Sequence, residues 1–402
     1  MKTPITINAQ EPLELLKALI RAKSPDPPGD ITACTEIITD LLSQEGIAFE
    51  ILESKPHIKN IVAVLEGSLK SAPEGQTLLF NGHLDTVPGG AGWDRDPYDP
   101  VYQDGYVYGR GSTDMKSGIT AGLMAVIAIK RSGSPFKGKL MYSAVGDEEN
   151  HSQYGTKYLL KHGLKADHAI CCEPTDLDLV LGNRGLTMVD VLIKGRSCHA
   201  GRSHLGVNAV HIAARIIDAI DAFDFKRIYN EAFEVPTGSC SVVGVQGGAK
   251  LNVVPNRCLL HIDRRLMPDE EGPEAVRELA ALIENATGVK PDIEKDHGSD
   301  IVMLPEYWHE PYWLSDTHHL AASAFSCIKK VLGRTPAIIG KSAGTDASHL
   351  FSMGKIPTII FGPGDYRLSH TPQEKVKFED ILIATEIYRD LALTLLNQKH
   401  PK

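Results

Sequence analysis

Six dispersed residues, His83, Asp114, Glu148, Glu149, Glu173 and His370, have the side chains to close around two metal ions. Two imidazoles and three carboxylates suit a pair of zinc-like ions that share one carboxylate. The sixth group, Glu148, is a carboxylate beside a ligand. Two metals plus one general base is the machinery of metal-assisted amide hydrolysis.

Each residue sits in a local context that can also be read structurally. In Thr77-Leu-Leu-Phe-Asn-Gly-His83-Leu-Asp85 an apolar strand ends in His-x-Asp. Strand alternation puts i and i+2 on one face, so Asp85 can accept from the second ring nitrogen of His83 and fix its tautomer. The plain alternative is a strand-end histidine beside a turn-forming aspartate. Tyr108-Gly-Arg-Gly-Ser-Thr-Asp114 leads into a helix, so Asp114 is either a helix cap or a bridging carboxylate. Asp147-Glu148-Glu149 closes another apolar strand. Such an acid run is solvated, or it binds metal at the strand ends where open α/β sheets hold their ligands. Neighbouring residues point apart, so Glu149 can bind metal while Glu148 faces the attacking water. Glu173 ends a further strand before Pro174, and His370 lies in a late loop; alone, each reads as an exposed surface residue. Their joint placement is what distinguishes them.

The elements that must position these groups alternate between strand and helix. Amphipathic patterns predict helices over Glu11–Ala22 and Thr32–Glu45, and a buried helix over Met115–Lys130. Strand-length apolar runs cover Ile61–Leu65, Thr77–Phe80, Lys139–Ala144 and Asp167–Cys172. This alternation predicts an α/β sandwich on a mixed, mostly parallel sheet. After Pro174 the texture changes. Strands at Leu186–Lys194, Gly238–Val245 and Asn252–Asp263 are separated by helices at Asn208–Ala222 and Pro273–Asn285, the pattern of an α+β layer. The α/β texture returns from His318. The expected organisation is a discontinuous catalytic domain, 1–180 and 295–402, interrupted by an inserted domain, 181–294. The two crossings are expected to act as a hinge.

Bulk properties narrow the function classes. The 402 residues carry a formal charge of −9, which disfavours a nucleic-acid partner. No apolar run reaches membrane-span length, and the N-terminal stretch lacks a secretion signal. Seven cysteines without a pairing pattern, two of them adjacent at Cys171-Cys172, predict reduced thiols and a cytoplasmic location.

The segments NGHLDTVP, YGRGSTDMKSG, VGDEEN, CCEPT and LSHTP together resemble the M20 metallopeptidase family, in order and over essentially the whole chain. The texture of GTDASHLFSMGKIPTIIFGPGDYRLSHTPQEKV is similar to the acetylornithine deacetylase/succinyl-diaminopimelate desuccinylase branch. The resemblance implies two zinc ions per subunit, with cobalt able to substitute. His83 and Glu173 would hold one ion, Glu149 and His370 the other, and Asp114 would bridge. It implies Glu148 as general base, Asp85 as the orienter of His83, and a cis peptide between Asp114 and Met115. It also implies that the inserted domain is a ferredoxin-like lid that forms a homodimer, with His199 reaching the partner subunit's active site as an oxyanion donor. Asn252 and Arg265 resemble carboxylate binders of the lid. Gly344 and Thr345, on a glycine loop entering a helix, can receive a substrate carboxylate; plain helix capping is the other reading.

The expected reaction is hydrolysis of the amide of an N-acyl amino acid, with an exopeptidase acting on small peptides as the second choice. A non-catalytic binding protein on the same scaffold would be expected to have lost a ligand or the base. Gly340-Lys341-Ser342-Ala343-Gly344 fits the short G-x-S-x-G pattern of serine hydrolases, a chance-prone match.

Overall fold

The computed structural model describes residues 7–69, 75–225 and 228–398. The chain divides into two compact units: Met1–Gly182 with Leu314–Ile339 and Thr345–Lys402, and Asn183–Trp313 with Gly340–Gly344.

The first unit is built on a mixed sheet whose strands run in the order Ala48–Lys55, Ile58–Glu66, Lys139–Val145, Thr77–His83, His168–Cys171, Thr358–Ile360 and Leu179–Asn183. Lys139–Val145, Thr77–His83 and His168–Cys171 are parallel neighbours, with His83 level with Val145 and Asn81 level with Cys171. Their carboxyl ends therefore open at one edge of the unit, and each leads into one of the acidic or histidine segments.

Helix Lys116–Ser132 is mostly apolar or small on every face from Gly118 to Ile129, and its residues from Lys116 to Ile129 are buried. Such a helix belongs inside a protein rather than on its surface. It stops at Gly133, which takes φ +61°, after Lys130 and Arg131 in the last turn. Gly118 is required near its start: a Cβ there would lie 1.8 Å from the carbonyl oxygen of Cys172. The missing side chain lets the helix that follows Asp114 press on the strand end that carries Glu173.

The inserted unit has a five-stranded sheet, in the order Ser239–Gly247, Arg257–Leu266, Gly185–Lys194, Ile301–His309 and Asp292–Ile293. Alternation puts Val189, Val191 and Ile193, with Cys258, Leu260 and Ile262, into its core. Helix Ala209–Ala222 meets them with Ala209, Ala213, Ile216 and Ile220; helix Gly272–Thr287 does so with Val276, Leu279 and Ile283. Asn208 caps the first helix, accepting from the amides of Val210 (3.0 Å) and His211 (3.3 Å). The four long strands and two helices have ferredoxin-like order.

The main segment of this unit runs to Trp313 rather than to the expected 294, and Gly340–Gly344 belongs to the unit as well. Ile301–His309 pairs antiparallel with Gly185–Lys194 and so stays with the inserted sheet. Pro305 obscures that strand in the sequence. It is tolerated because the outer neighbour Asp292–Ile293 pairs only with Val302 and Met303, which leaves the strand an edge beyond them. None of the seven cysteines is in a disulfide. Among the described residues no helix is long and apolar enough to cross a membrane.

Candidate metal centre

The three central strand ends and the Asp114 junction converge on one small volume. His83 ends its strand with a side chain 1 % exposed, and its Nε2 lies 3.2 Å from Asp114 Oδ1, 3.7 Å from Glu173 Oε1 and 3.9 Å from Glu148 Oε2. The other Asp114 oxygen, Oδ2, lies 3.4 Å from Nε2 of His370, which is also 3.2 Å from Glu149 Oε2. The distances thus group His83 with Glu173, His370 with Glu149, and Asp114 with both. Asp114 is not the helix cap: Met115 occupies that position, and no side chain caps the helix. The Asp114–Met115 peptide is cis. His370 takes φ +64°, the left-handed region, which turns its ring from an exposed loop toward the carboxylates.

Second contacts hold these groups. Glu149 is fixed at both ends, its amide donating to Asp85 Oδ2 (3.0 Å) and its Oε1 accepting from the Val87 amide (3.2 Å). The expected bond between the His83 ring and the Asp85 carboxylate is not made. His83 Nδ1 lies 2.8 Å from the main-chain carbonyl of Asp85, and the carboxylate stands at 3.6 Å. A carbonyl only accepts, so Nδ1 carries a proton, and Nε2 is the ring nitrogen that faces Asp114 and is placed to serve as a ligand. The alternation argument put Asp85 on the correct side; the turn after His83 brings its carbonyl in first.

Electrostatics follow from crowding carboxylates in a buried place. Burial opposes charging of His83, yet Asp114, with Glu148, Asp85 and Glu173 around it, carries its pKa well above the ordinary value. Hydrogen bonds to Asp114 and then Glu149 push His370 up to about 10. Burial raises Glu148 well above a normal glutamate, against the pull of His83 and with Glu173, Asp346 and Glu149 adding to it. Burial also lifts Asp85 to about 7. Close carboxylates facing two imidazoles are costly unless positive charge sits among them. The donor set is oxygen and imidazole nitrogen within reach of common points, His83–Asp114–Glu149 and His83–Glu148–Glu173. That chemistry fits a pair of divalent ions of the zinc type.

Residues 79–394 match Peptidase family M20/M25/M40. The chain belongs to this family. Among its relatives is a succinyl-diaminopimelate desuccinylase of Marinobacter nauticus, 29% identical over 398 residues and aligned with 96% of this chain and 98% of the relative. An N-formyl-4-amino-5-aminomethyl-2-methylpyrimidine deformylase of Bacillus subtilis is 25% identical, covering 97% of this chain and 96% of its own. A tripeptidase structure from Staphylococcus aureus superposes with TM-score 0.78 at 22% identity, over 98% of this chain and 100% of that one. The chain is therefore an M20 hydrolase, with the mixed α/β fold and inserted α+β unit of that family.

Of the other expected site residues, His199, Asn252, Arg265 and Gly344 belong to the inserted unit and Thr345 to the first. His199 is exposed, bridges to Val253, and its Nδ1 accepts from the Gly201 amide at 3.0 Å. In the neutral ring this leaves Nε2–H as a donor. The Asn252 carbonyl accepts from the Ala200 amide (3.0 Å), so Asn252 and His199 belong to one exposed corner of that unit. The Arg265 guanidinium forks onto Asp263, with contacts of 2.8 and 2.9 Å. Gly344 makes room for the His309 ring, whose nearest carbon a Cβ would meet at 2.3 Å. Thr345 accepts from the Ala347 amide (3.3 Å) and caps a helix of 7 residues, Asp346–Ser352. The capping reading accounts for it, and the chain offers no long helix there to receive an anion. Ser342 Oγ is buried with no hydrogen-bond partner, so no histidine is placed to activate it as a nucleophile.

Sequence reasoning missed two residues. Arg184 is 4% exposed, donates from Nη2 to Ser239 Oγ at 3.1 Å, and has no hydrogen-bond partner at Nε. Burial, then Arg265, depresses its pKa, the mark of a guanidinium short of negative charge. It hid in Gly182-Asn183-Arg184-Gly185, which carries no ligand pattern. The second is Glu374, fully buried beside the metal-site loop, considered below.

Proposed function

We propose that this M20 hydrolase cleaves the amide bond of an N-acyl amino acid, in the manner of a deacetylase or desuccinylase, with two zinc ions held by His83, Asp114, Glu149, Glu173 and His370. The observation that carries the reading is the position of Asp114, with one oxygen toward each imidazole. When bound, the ions supply Lewis acidity and an activated water. Glu148 takes the proton of the attacking water and passes it to the leaving amine. His199 of the partner subunit donates from Nε2 to the developing oxyanion.

A free carboxylate on the substrate is supported by Arg184, a buried guanidinium short of an anion. The acyl branch is supported by the relatives that remove succinyl and formyl groups. A homodimer through the inserted unit is supported by its outermost strand, Ser239–Gly247, where Val243 and Val245 are exposed beside an unpaired edge.

The deciding experiment assays metal-loaded protein against N-acetylornithine, N-succinyl-diaminopimelate, other acyl amino acids and dipeptides, with a chelator control. Hydrolysis of acyl amino acids that stops on chelation is expected. Dipeptides as the preferred substrates would overturn the acyl reading, and turnover in metal-free protein would overturn the metal reading.

A further inference from the structure

We propose that Glu374 is a positioning residue that sets Asp114 and His370 in register with each other, and so sets the spacing of the two ions; this rests on the metal reading above.

The Glu374 carboxyl is fully buried. Its Oε1 accepts from two consecutive backbone amides, Thr113 at 2.9 Å and Asp114 at 3.1 Å. Its Oε2 is ion-paired to Arg110 Nη1. One of these amides belongs to Asp114 itself, so the carboxylate fixes the backbone from which the shared ligand projects. The same residue follows closely on His370. Its carbonyl accepts from the Gly109 amide (3.2 Å), and the next carbonyl, of Lys375, accepts from Thr113 Oγ1 (2.7 Å). Strand Lys375–Lys377 then pairs with Tyr106–Tyr108. The loop bearing one ligand is thus stitched to the turn bearing another, and the Glu374 side chain is the stitch nearest the metal-facing groups.

The chemistry requires a carboxylate. Two amides and a guanidinium are all donors, and an ionised carboxylate has acceptor sites for them all. A glutamine has one oxygen; its amide nitrogen would confront either Arg110 or the Thr113 and Asp114 amides. Arg110 is 2% exposed, donates to the Gly89 carbonyl at 3.3 Å and lies 5.4 Å from the Trp93 ring centroid, so it has little freedom to retreat. The strain would be relieved at the Thr113–Asp114 turn. Groups that orient ligands without touching the metal commonly change affinity by roughly tenfold to a hundredfold when replaced.

The test titrates metal-free full-length wild type, Glu374→Gln and Glu374→Asp with cobalt, reading stoichiometry and affinity by calorimetry, the cobalt absorption spectrum, and melting temperature. Wild type reports on the metal reading, and the difference between variant and wild type reports on this inference. Expected is uptake of two ions by wild type. Both variants should lose roughly tenfold or more in affinity for at least one ion, with a changed spectrum. Glu374→Asp keeps the charge opposite Arg110 but is one methylene short of the two amides, and it carries the test if Glu374→Gln does not fold. A purely architectural Glu374 would lower melting temperature while both ions bound with wild-type affinity and spectrum, and that result would overturn the proposal. Failure of wild type to bind two ions would overturn the metal reading, and this inference with it.

Discussion

Asp114 Oδ2 lies 3.4 Å from Nε2 of His370, although the two residues belong to different segments of the discontinuous catalytic unit. The other Asp114 oxygen faces His83, so one side chain serves both halves of the centre. Asp114→Asn replaces one of those oxygens with an NH2 group, which cannot ligate. The variant is expected to retain at most one tightly held ion and to lose turnover. Elemental analysis after dialysis checks this; two retained ions would refute the shared-ligand assignment.

Glu148 and Glu149 are adjacent, but their neighbours differ. Glu149 contacts His370, whereas Glu148 lies toward His83, Glu173 and Asp346. Glu148→Gln is expected to keep both ions and lower kcat by roughly a hundredfold to ten-thousandfold, the usual range for a lost general base. Glu149→Gln should instead weaken metal uptake. The reverse pattern would exchange the two roles.

In the metal-free protein His370 titrates at about 10, held up by Asp114 and Glu149. A folded value above the unfolded one of about 6.5 stabilises the protein fully below that pH. The contribution is lost as pH rises through about 10. A metal ligand must be neutral, so uptake near neutral pH has to expel the proton. Zinc titrations in buffers of different ionisation enthalpy should show proton release, with affinity rising as pH is raised. An enthalpy independent of the buffer would contradict this.

Arg184 predicts a substrate feature. Arg184→Met should cut kcat/KM by roughly tenfold to a hundredfold on a substrate with a free carboxylate, the loss expected for a hydrogen bond to a charged group. It should leave the corresponding ester or amide derivative unchanged. Equal losses on both would show that Arg184 serves only the fold.

Ser342→Ala should leave turnover unchanged, because the hydroxyl has no hydrogen-bond partner. Loss of activity with metals still bound would reopen the serine reading.

The sequence by itself carried the donor types and their addresses. His83, Glu148, Glu149 and Glu173 follow apolar strand runs, and strand ends in an α/β sheet face a common edge. The inserted α+β layer was legible as well, since its strands alternate and its helices repeat, but its ferredoxin-like order came only with the family resemblance. Tertiary structure alone decided what hydrogen-bond geometry and burial decide. It gave His83 the Asp85 carbonyl in place of the carboxylate, because the turn after the strand sets which oxygen arrives first. It kept Ile301–His309 with the inserted sheet through pairing with a strand far away in the chain. It made Arg184 and Glu374 matter. Nothing local marks either residue, and their importance comes from neighbours that only folding brings within hydrogen-bond reach and out of water.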